Sequence, residues 1–150
     1  MTVGFNHLGQ LGQLGNQMFQ YAITKSVASK LNVPFKIPNH QNVFDDGIGN
    51  RYTILLFDIF KLESLTDFGF VDTQKYVQEG HFHYDEDIFN ISPQEDFSLW
   101  GFFQSEKYFK DIENDIRDDF NFKDKLVSSC QSIIENVDNP IALHIRRGDF

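Results

Sequence analysis

The sequence predicts an α/β fold, with a parallel sheet flanked by helices, from three observations. A short apolar strand at 2–5 is followed by a loop, a helix at 16–31 and a second strand at 34–37. This β-loop-α-β order is the usual start of a parallel sheet. A further buried strand is predicted at 97–103, and two amphipathic helical patterns follow it. The length of 150 residues and the hydrophobic content of 41% suit one ordinary domain with a real core.

The first helix is predicted from apolar residues that recur at spacings of three and four, which is typical of one helix face. The residues of this face are Met18, Phe19, Ala22, Ile23, Val27 and Leu31. Asn32 is the predicted stop, and Pro34 lies just beyond it.

The loop before this helix has the composition of an anion-binding turn. Gly9, Gly12 and Gly15 recur every third residue, and the last of them stands where the helix begins. A helix start offers unpaired N–H groups and a partial positive charge, and glycine lets a ligand approach the backbone. These features favour a phosphate seat. The spacing matches neither the dinucleotide motif nor the P-loop, so a plain strand-to-helix turn remains an alternative interpretation.

The middle of the chain gives weaker patterns. Residues 39–50 are predicted to form a loop, and 52–65 fit a short buried helix or a buried strand equally well. Residues 75–77 and 81–84 alternate in the manner of strands.

Two histidines in this region raise the question of a metal site. His81, His83 and Asp85 alternate, so they could share one strand face and hold a metal ion. Histidines that alternate beside aromatic residues are more often partly buried polar residues, and we expect no metal.

Two more helices and a strand are predicted towards residue 150. Ser105 is the expected N-cap of one helix, and Asp124 that of the next, which Pro140 ends. Residues 141–145 are predicted to form a short strand. The predicted inner faces of the two helices comprise Phe109, Ile112, Ile116 and Phe120, then Leu126, Val127, Cys130, Ile134 and Val137.

The charge distribution limits the kinds of ligand that the protein is expected to bind. The net charge is −9, yet no acidic residue precedes Asp45. This favours an anionic ligand near the opening loop, while the acidic remainder argues against nucleic-acid binding. The acidic pairs Asp45–Asp46 and Asp118–Asp119 are expected in solvated turns or at helix ends.

Cysteine content and hydropathy indicate the cellular compartment in which the protein is expected. A single cysteine, Cys130, forms no internal disulfide and is expected in the core. The sequence shows no secretory signal pattern and no apolar run of about 18 residues. We therefore expect a cytoplasmic protein that associates at most peripherally with a membrane, and no oligomeric state is predicted.

The motif His144-Ile145-Arg146-Arg147-Gly148-Asp149 carries the sharpest chemical signal. Adjacent arginines after a buried strand supply fork-shaped, permanently charged donors that suit a pyrophosphate. If the strand continues, His144 and Arg146 share a face, while Arg147 points across and can pair with Asp149. The alternatives are a surface Arg-Asp turn and, with less support, an Arg-Gly-Asp cell-adhesion ligand.

Three segments together resemble glycosyltransferase family 11, the α-1,2-fucosyltransferases. The string GNQMFQYA at 15–22 is similar to the opening motif of the family, and GFFQSEKYF at 101–109 is similar to a second. HIRRGDF at 144–150 resembles the HxRRGD motif, which α-1,6- and O-fucosyltransferases share. The resemblance spans essentially the whole sequence. Gln13 departs from the family, where Arg or Gly is common, and Phe150 stands where many members have Tyr.

The resemblance implies a fold and a reaction. It implies a GT-B architecture of two Rossmann-like domains, with residues 1–138 as the N-terminal, acceptor-side domain and 139–150 as the first strand of a truncated donor-binding domain. It implies inverting transfer of fucose from GDP-fucose to a galactoside hydroxyl of a glycan acceptor, commonly at position 2, with no cofactor and no metal. We expect a fragment of 150 residues to be inactive. The alternative is a non-catalytic sugar- or anion-binding domain.

The resemblance also assigns roles to residues. The residues that it places at the donor are Gly15, Asn16, Gln17, His144 and Arg146. Arg146 and Arg147 would neutralise the β-phosphate as GDP leaves. Asp149 would orient Arg147 or serve as the general base towards the acceptor hydroxyl.

Overall fold

A parallel four-stranded sheet lies at the centre of the protein, as the computed structural model, which describes residues 1–45, 51–91 and 94–145, shows. The strand order is β2-β1-β6-β5, and every neighbouring pair is parallel. The strands are β1 (Val3–Gly4), β2 (Phe35–Lys36), β5 (Tyr76–Gln78) and β6 (Phe97–Trp100). With helices flanking this sheet, the predicted α/β fold is confirmed and is consistent with a Rossmann-like glycosyltransferase domain.

Helix α1 (Leu14–Leu31) connects β1 to β2. It begins two residues before the predicted start, and it ends as predicted at Asn32, which adopts the left-handed conformation with φ 54°. The backbone N–H of Asn32 donates to the carbonyls of Ala28 and Ser29 and so closes the last turn.

A small hairpin lies beside this sheet. Strands β3 (Val43–Asp45) and β4 (Arg51–Thr53) pair antiparallel, and helix α2 (Leu56–Ile59) follows. The predicted loop at 39–50 is therefore wrong at β3. The ambiguous segment at 52–65 begins in a strand and continues into a short helix.

The segment between β5 and β6 contains no strand at 81–84, so the alternation there was misleading. A 3-10 helix follows at Glu86–Phe89, and the Asp85 side chain accepts a hydrogen bond from the Asp87 N–H to cap it. His81 and His83 are exposed, so the expectation that they are partly buried is wrong.

The chain after β6 packs against α1. Ser105 is the N-cap of a 3-10 helix, Glu106–Ile112, as predicted, and helix α3 (Glu113–Asp119) continues from it. The Ser26 hydroxyl donates a 2.6 Å hydrogen bond to the Tyr108 carbonyl, which fixes this helix pair to α1.

Helix α4 (Asp124–Ile134) lies outside the core. It begins at Asp124 with Lys123 as N-cap, so the predicted cap at Asp124 is displaced by one residue. All described residues from 121 onwards are exposed, including Cys130, and the prediction that this helix has a buried inner face is wrong. Residues 141–145 form no strand in this structure. The division of the chain at 138 and 139 stays a prediction.

The core lies between α1 and the sheet. Its fully buried large side chains are Tyr21, Phe5, Phe97, Phe103, Leu8, Ile23, Ile37, Ile54, Leu56 and Leu99. Among the described residues, no helix combines the length and apolar character that a membrane crossing requires.

The Asp118–Asp119 pair lies at the end of α3, as expected, but Asp119 is a buried carboxylate and is not solvated. Its side chain is 3% exposed and bonds the Lys25 ammonium at 2.6 Å and the Tyr21 hydroxyl at 2.7 Å. Burial raises the pKa of Asp119, but hydrogen bonds from Lys25, Ser64 and Tyr21 outweigh it and hold the pKa below its ordinary value. The carboxylate therefore ties α1 to the end of α3.

Candidate functional site

The N-terminus of α1 is open to a ligand. Gln13 is the N-cap, no side chain within the described residues caps it, and the first turn holds no acidic residue. A Cβ added to Gly15 would meet nothing within 4 Å, so space lies beside the first turn. Unpaired N–H groups at the start of an 18-residue helix favour an anion there.

Gly12 shapes the loop that leads into this helix. Its φ is +96°, a conformation that residues with a Cβ rarely adopt. A Cβ there would also lie 1.9 Å from Nδ2 of Asn16. The glycine therefore lets the Asn16 side chain fold over the loop.

Two buried glutamines of α1 hold the loop in place. Gln17, which is 1% exposed, donates from Nε2 to the Thr53 carbonyl at 3.0 Å, and its Oε1 accepts from the Leu55 N–H at 2.8 Å. Gln20 donates to the carbonyls of Leu11 and Gly101, at 3.0 and 3.1 Å. The Gln17 side chain thus braces the loop from inside, and the predicted donor contact of Gln17 stays a prediction.

The segment that follows β6 reaches the same place. The amide of Gln104 donates a 2.6 Å hydrogen bond to Oδ1 of Asn16. The structure thus brings together the GNQMFQYA and GFFQSEKYF segments, which lie 88 positions apart at this bond.

A strained turn presents Gln104 to Asn16. Phe103 is 1% exposed and has a φ of +52°, which is uncommon for a bulky residue. The Glu79 carboxylate accepts hydrogen bonds from the N–H groups of Phe102 and Phe103, at 2.7 and 3.0 Å. A Cβ on Gly101 would lie 2.5 Å from the Cβ of Glu79, so only glycine permits this approach.

A cavity of about 500 Å³ opens beside the helix start. Gly15 lies at its edge, Phe19 and Phe109 form part of its apolar wall, and Lys107 and Lys110 are among the charged residues that line it. Glu106, Glu113 and Arg117 also line it, so a ligand at the helix start would have an apolar wall and charged groups of both signs beside it.

The C-terminal motif is only partly described. His144 is exposed, and no strand supports it. Arg146, Arg147 and Asp149 lie outside the described residues, so the predicted convergence of the two arginines with the start of α1 stays a prediction.

No metal centre is present in the described residues, because no group of three or more His, Cys, Asp or Glu side chains there could hold an ion. His81 and His83 are close, with ring centroids 5.7 Å apart, but Nδ1 of His81 faces the His83 carbonyl at 3.2 Å. The alternating pattern therefore does not assemble a ligand set.

The sequence analysis missed the roles of Glu79 and Gln104. Nothing in the local pattern around Glu79 indicates that its carboxylate folds back onto another strand's loop, because the contact spans 23 positions. Gln104 lies within a recognised segment, but only the fold brings it to Asn16.

One of three comparisons with known proteins gives a match. The model of a protein family described as Glycosyl transferase family 11 matches residues 3–150. No curated protein and no solved structure matches the chain significantly. The match covers all three segments that carried the resemblance and nearly the whole chain. The chain therefore belongs to glycosyl transferase family 11, a family of fucosyltransferases.

Proposed function

We propose that this protein transfers fucose from GDP-fucose to a galactoside hydroxyl of a glycan, forming an α-1,2 linkage with inversion. Family membership supports the fucosyltransferase class. The donor, the acceptor and the linkage are our proposal.

The open start of α1 is the observation that carries the proposal. It combines an uncapped helix end, an acid-free first turn and free space at Gly15. Such a helix end stabilises a phosphate through its N–H groups and its partial positive charge. We assign contacts with the GDP diphosphate to Gly15 and Asn16, and a bracing role to the side chain of Gln17.

The C-terminal motif supplies the remaining roles in this proposal. Arg146 and Arg147 neutralise the charge that develops on the β-phosphate as the bond to fucose breaks. His144 contacts the donor or holds an arginine in place. Asp149 orients Arg147 or accepts the proton of the acceptor hydroxyl. No metal is needed in this scheme, because the arginines supply the positive charge.

We also propose a GT-B architecture in which residues 139–150 open the donor-binding domain. One feature supports it, namely that apolar side chains of α4 are exposed. Exposed apolar faces of this kind are typical of surfaces that another protein layer covers. We expect residues 1–150 by themselves to transfer no fucose.

The test is a transfer assay on the protein as the cell makes it, with GDP-fucose and a β-galactoside. We expect Arg146→Ala to lower kcat by at least about a hundredfold, which is the usual cost of removing one donor that stabilises transition-state charge. Arg51→Ala is the matched control, because Arg51 is an exposed residue of the β3–β4 hairpin.

Two results would overturn the proposal. Near-normal turnover of Arg146→Ala would remove the donor role of the motif. Binding of GDP without any transfer by the protein as the cell makes it would favour the non-catalytic sugar- or anion-binding domain.

A further inference from the structure

A shallow depression of about 390 Å³ opens on the sheet, and its wall consists of His7, Tyr76, Gln78 and Trp100. Trp100 and Gln78 are the last residues of β6 and β5, and His7 follows β1. These strands are parallel, so all three ends meet at one edge of the sheet. The carboxyl edge is where open α/β sheets bind their ligands.

The strand register places the depression on one face of the sheet. Tyr76 pairs with Ser98 and Gln78 pairs with Trp100, so these four side chains point to the same side. Phe97 and Leu99 alternate with them and belong to the buried core. The depression is therefore on the sheet face opposite that part of the core.

The aromatic rings of the depression meet at steep angles, so they form a corner and not a pair of parallel faces. The ring of Trp100 lies edge-on to His7, with centroids 4.2 Å apart and an angle of 73°, and meets Tyr76 at 88°. A flat base is held best between two parallel faces, whereas a corner presents one ring face and one ring edge. This shape suits a ring with an apolar C–H face and hydroxyls around its rim.

The chemistry of the wall favours a neutral, hydroxyl-rich ligand. No lysine, arginine, aspartate or glutamate is among the four residues. Burial lowers the pKa of His7 from its ordinary value, which favours the neutral form of the ring. Nδ1 of His7 is buried and has no hydrogen-bond partner in the described part of the chain, and the Gln78 amide is exposed. An unpaired buried nitrogen is rare in a folded protein, and a ligand hydroxyl nearby would account for it.

The depression lies at the same edge as the proposed donor seat. Gly101, the residue after Trp100, accepts a hydrogen bond from Gln20 in α1. We propose that the His7–Tyr76–Gln78–Trp100 depression binds a pyranose ring of the glycan acceptor. This inference rests on the proposed function, since it supplies the acceptor side of the same reaction.

The structure offers a direct probe, because Trp100 lies in the wall of the depression and is the single tryptophan of residues 1–150. Titration with methyl β-galactoside or lactose should change the emission of Trp100 saturably. Tyr76→Ala should weaken binding by about tenfold, the effect of losing one aromatic partner. Tyr76→Phe keeps the ring and should bind within about twofold of the wild type.

Phe82→Ala is the matched control. Phe82 is an aromatic residue, 76% exposed, whose ring contacts Phe102 and not the depression. This variant should bind the sugar as the wild type does. Circular dichroism establishes that each variant is folded, and Tyr76→Phe keeps the test decisive if Tyr76→Ala does not fold.

Three results would overturn the inference. The first is no response of Trp100 to either sugar. The second is a saturable response to GDP in place of the sugars, which would make the depression a base site. The third is an emission that changes with protein concentration alone, which would assign the surface to a second copy of the chain. If the protein as the cell makes it binds the sugar but transfers no fucose, the proposed function is wrong while this site stands.

Discussion

Asp119 provides the sharpest test of how α1 is held to the end of α3. We expect Asp119→Asn to lower the free energy of unfolding by about 3–5 kcal/mol, the usual cost of breaking a buried ion pair. The reason is the state of Lys25, whose side chain is 12% exposed and whose ammonium bonds Oδ2 of Asp119 at 2.6 Å. Without the carboxylate, a nearly buried charge loses its counterion, and the Tyr21 hydroxyl and the Ser64 N–H lose an ionised acceptor.

Urea unfolding followed by Trp100 fluorescence and circular dichroism measures this loss. With a typical slope of about 1–3 kcal/mol per molar urea, the midpoint should fall by about 1 M or more. Asp118→Asn is the matched control, since Asp118 is the exposed neighbour in the same turn of α3. A surface change of this kind should stay within about 0.5 kcal/mol. Equal midpoints for the two variants would refute the assignment of Asp119 as a structural carboxylate.

The pH dependence gives an independent check on the same residue. The pKa of Asp119 is below its ordinary value of 3.8, so in acid the unfolded chain binds the proton more readily than the folded one. The stability from the carboxylate is therefore complete above the ordinary value and is lost as the pH falls through the folded pKa. The difference in unfolding free energy between the wild type and Asp119→Asn should shrink over that range, and a constant difference would contradict this explanation.

Two further pairs of variants test the loop before α1 and the turn after β6. Gly12→Ala should destabilise the protein by about 1–3 kcal/mol, because the backbone is strained and the new Cβ contacts Asn16. Gly15→Ala, by contrast, should stabilise α1 by about 0.5–1 kcal/mol, because nothing lies within 4 Å of the new Cβ. Thermal unfolding of the two variants measures both effects. Glu79→Ala should cost about 1–3 kcal/mol, because two backbone N–H groups of the turn after β6 lose their acceptor, while Glu63→Ala, at an exposed site, should cost little in the same measurement.

The sequence was informative where packing follows a simple period. The spacing of Ala22, Ile23 and Val27 predicted α1, and the three side chains are buried. The same spacing did not indicate that Gln17, Gln20 and other polar residues of α1 are buried as well. Helix α1 is enclosed on nearly every side, and its polar residues bond to carbonyls from distant loops. A one-face pattern cannot reveal such partners, because they come from elsewhere in the chain.

For helix α4 the error is the reverse, because the sequence predicted a buried face and the structure shows an exposed one. Its apolar spacing is clear, yet Leu126, Val127 and Ile134 are exposed. A hydrophobic period predicts that a helix has an apolar face, but it does not identify what covers that face. Asp119 fails for a related reason: an acidic pair at a helix end is usually solvated, and only the meeting of Lys25, Ser64 and Tyr21 in space makes burial of one member favourable.

The site depends on neutral amides to brace a helix end that should remain positive. An acidic cap would satisfy the N–H groups of α1 but would also cancel the partial charge that attracts a phosphate. The first turn avoids acids, and the loop is held instead by Gln17 and Gln20 from inside and by Gln104 against Asn16. Glu79 is acidic, but its carboxylate accepts hydrogen bonds from two backbone N–H groups in the turn after β6. The GNQ and GFFQ segments therefore meet through a neutral contact, because the Gln104 amide bonds the Asn16 side chain beside the start of α1.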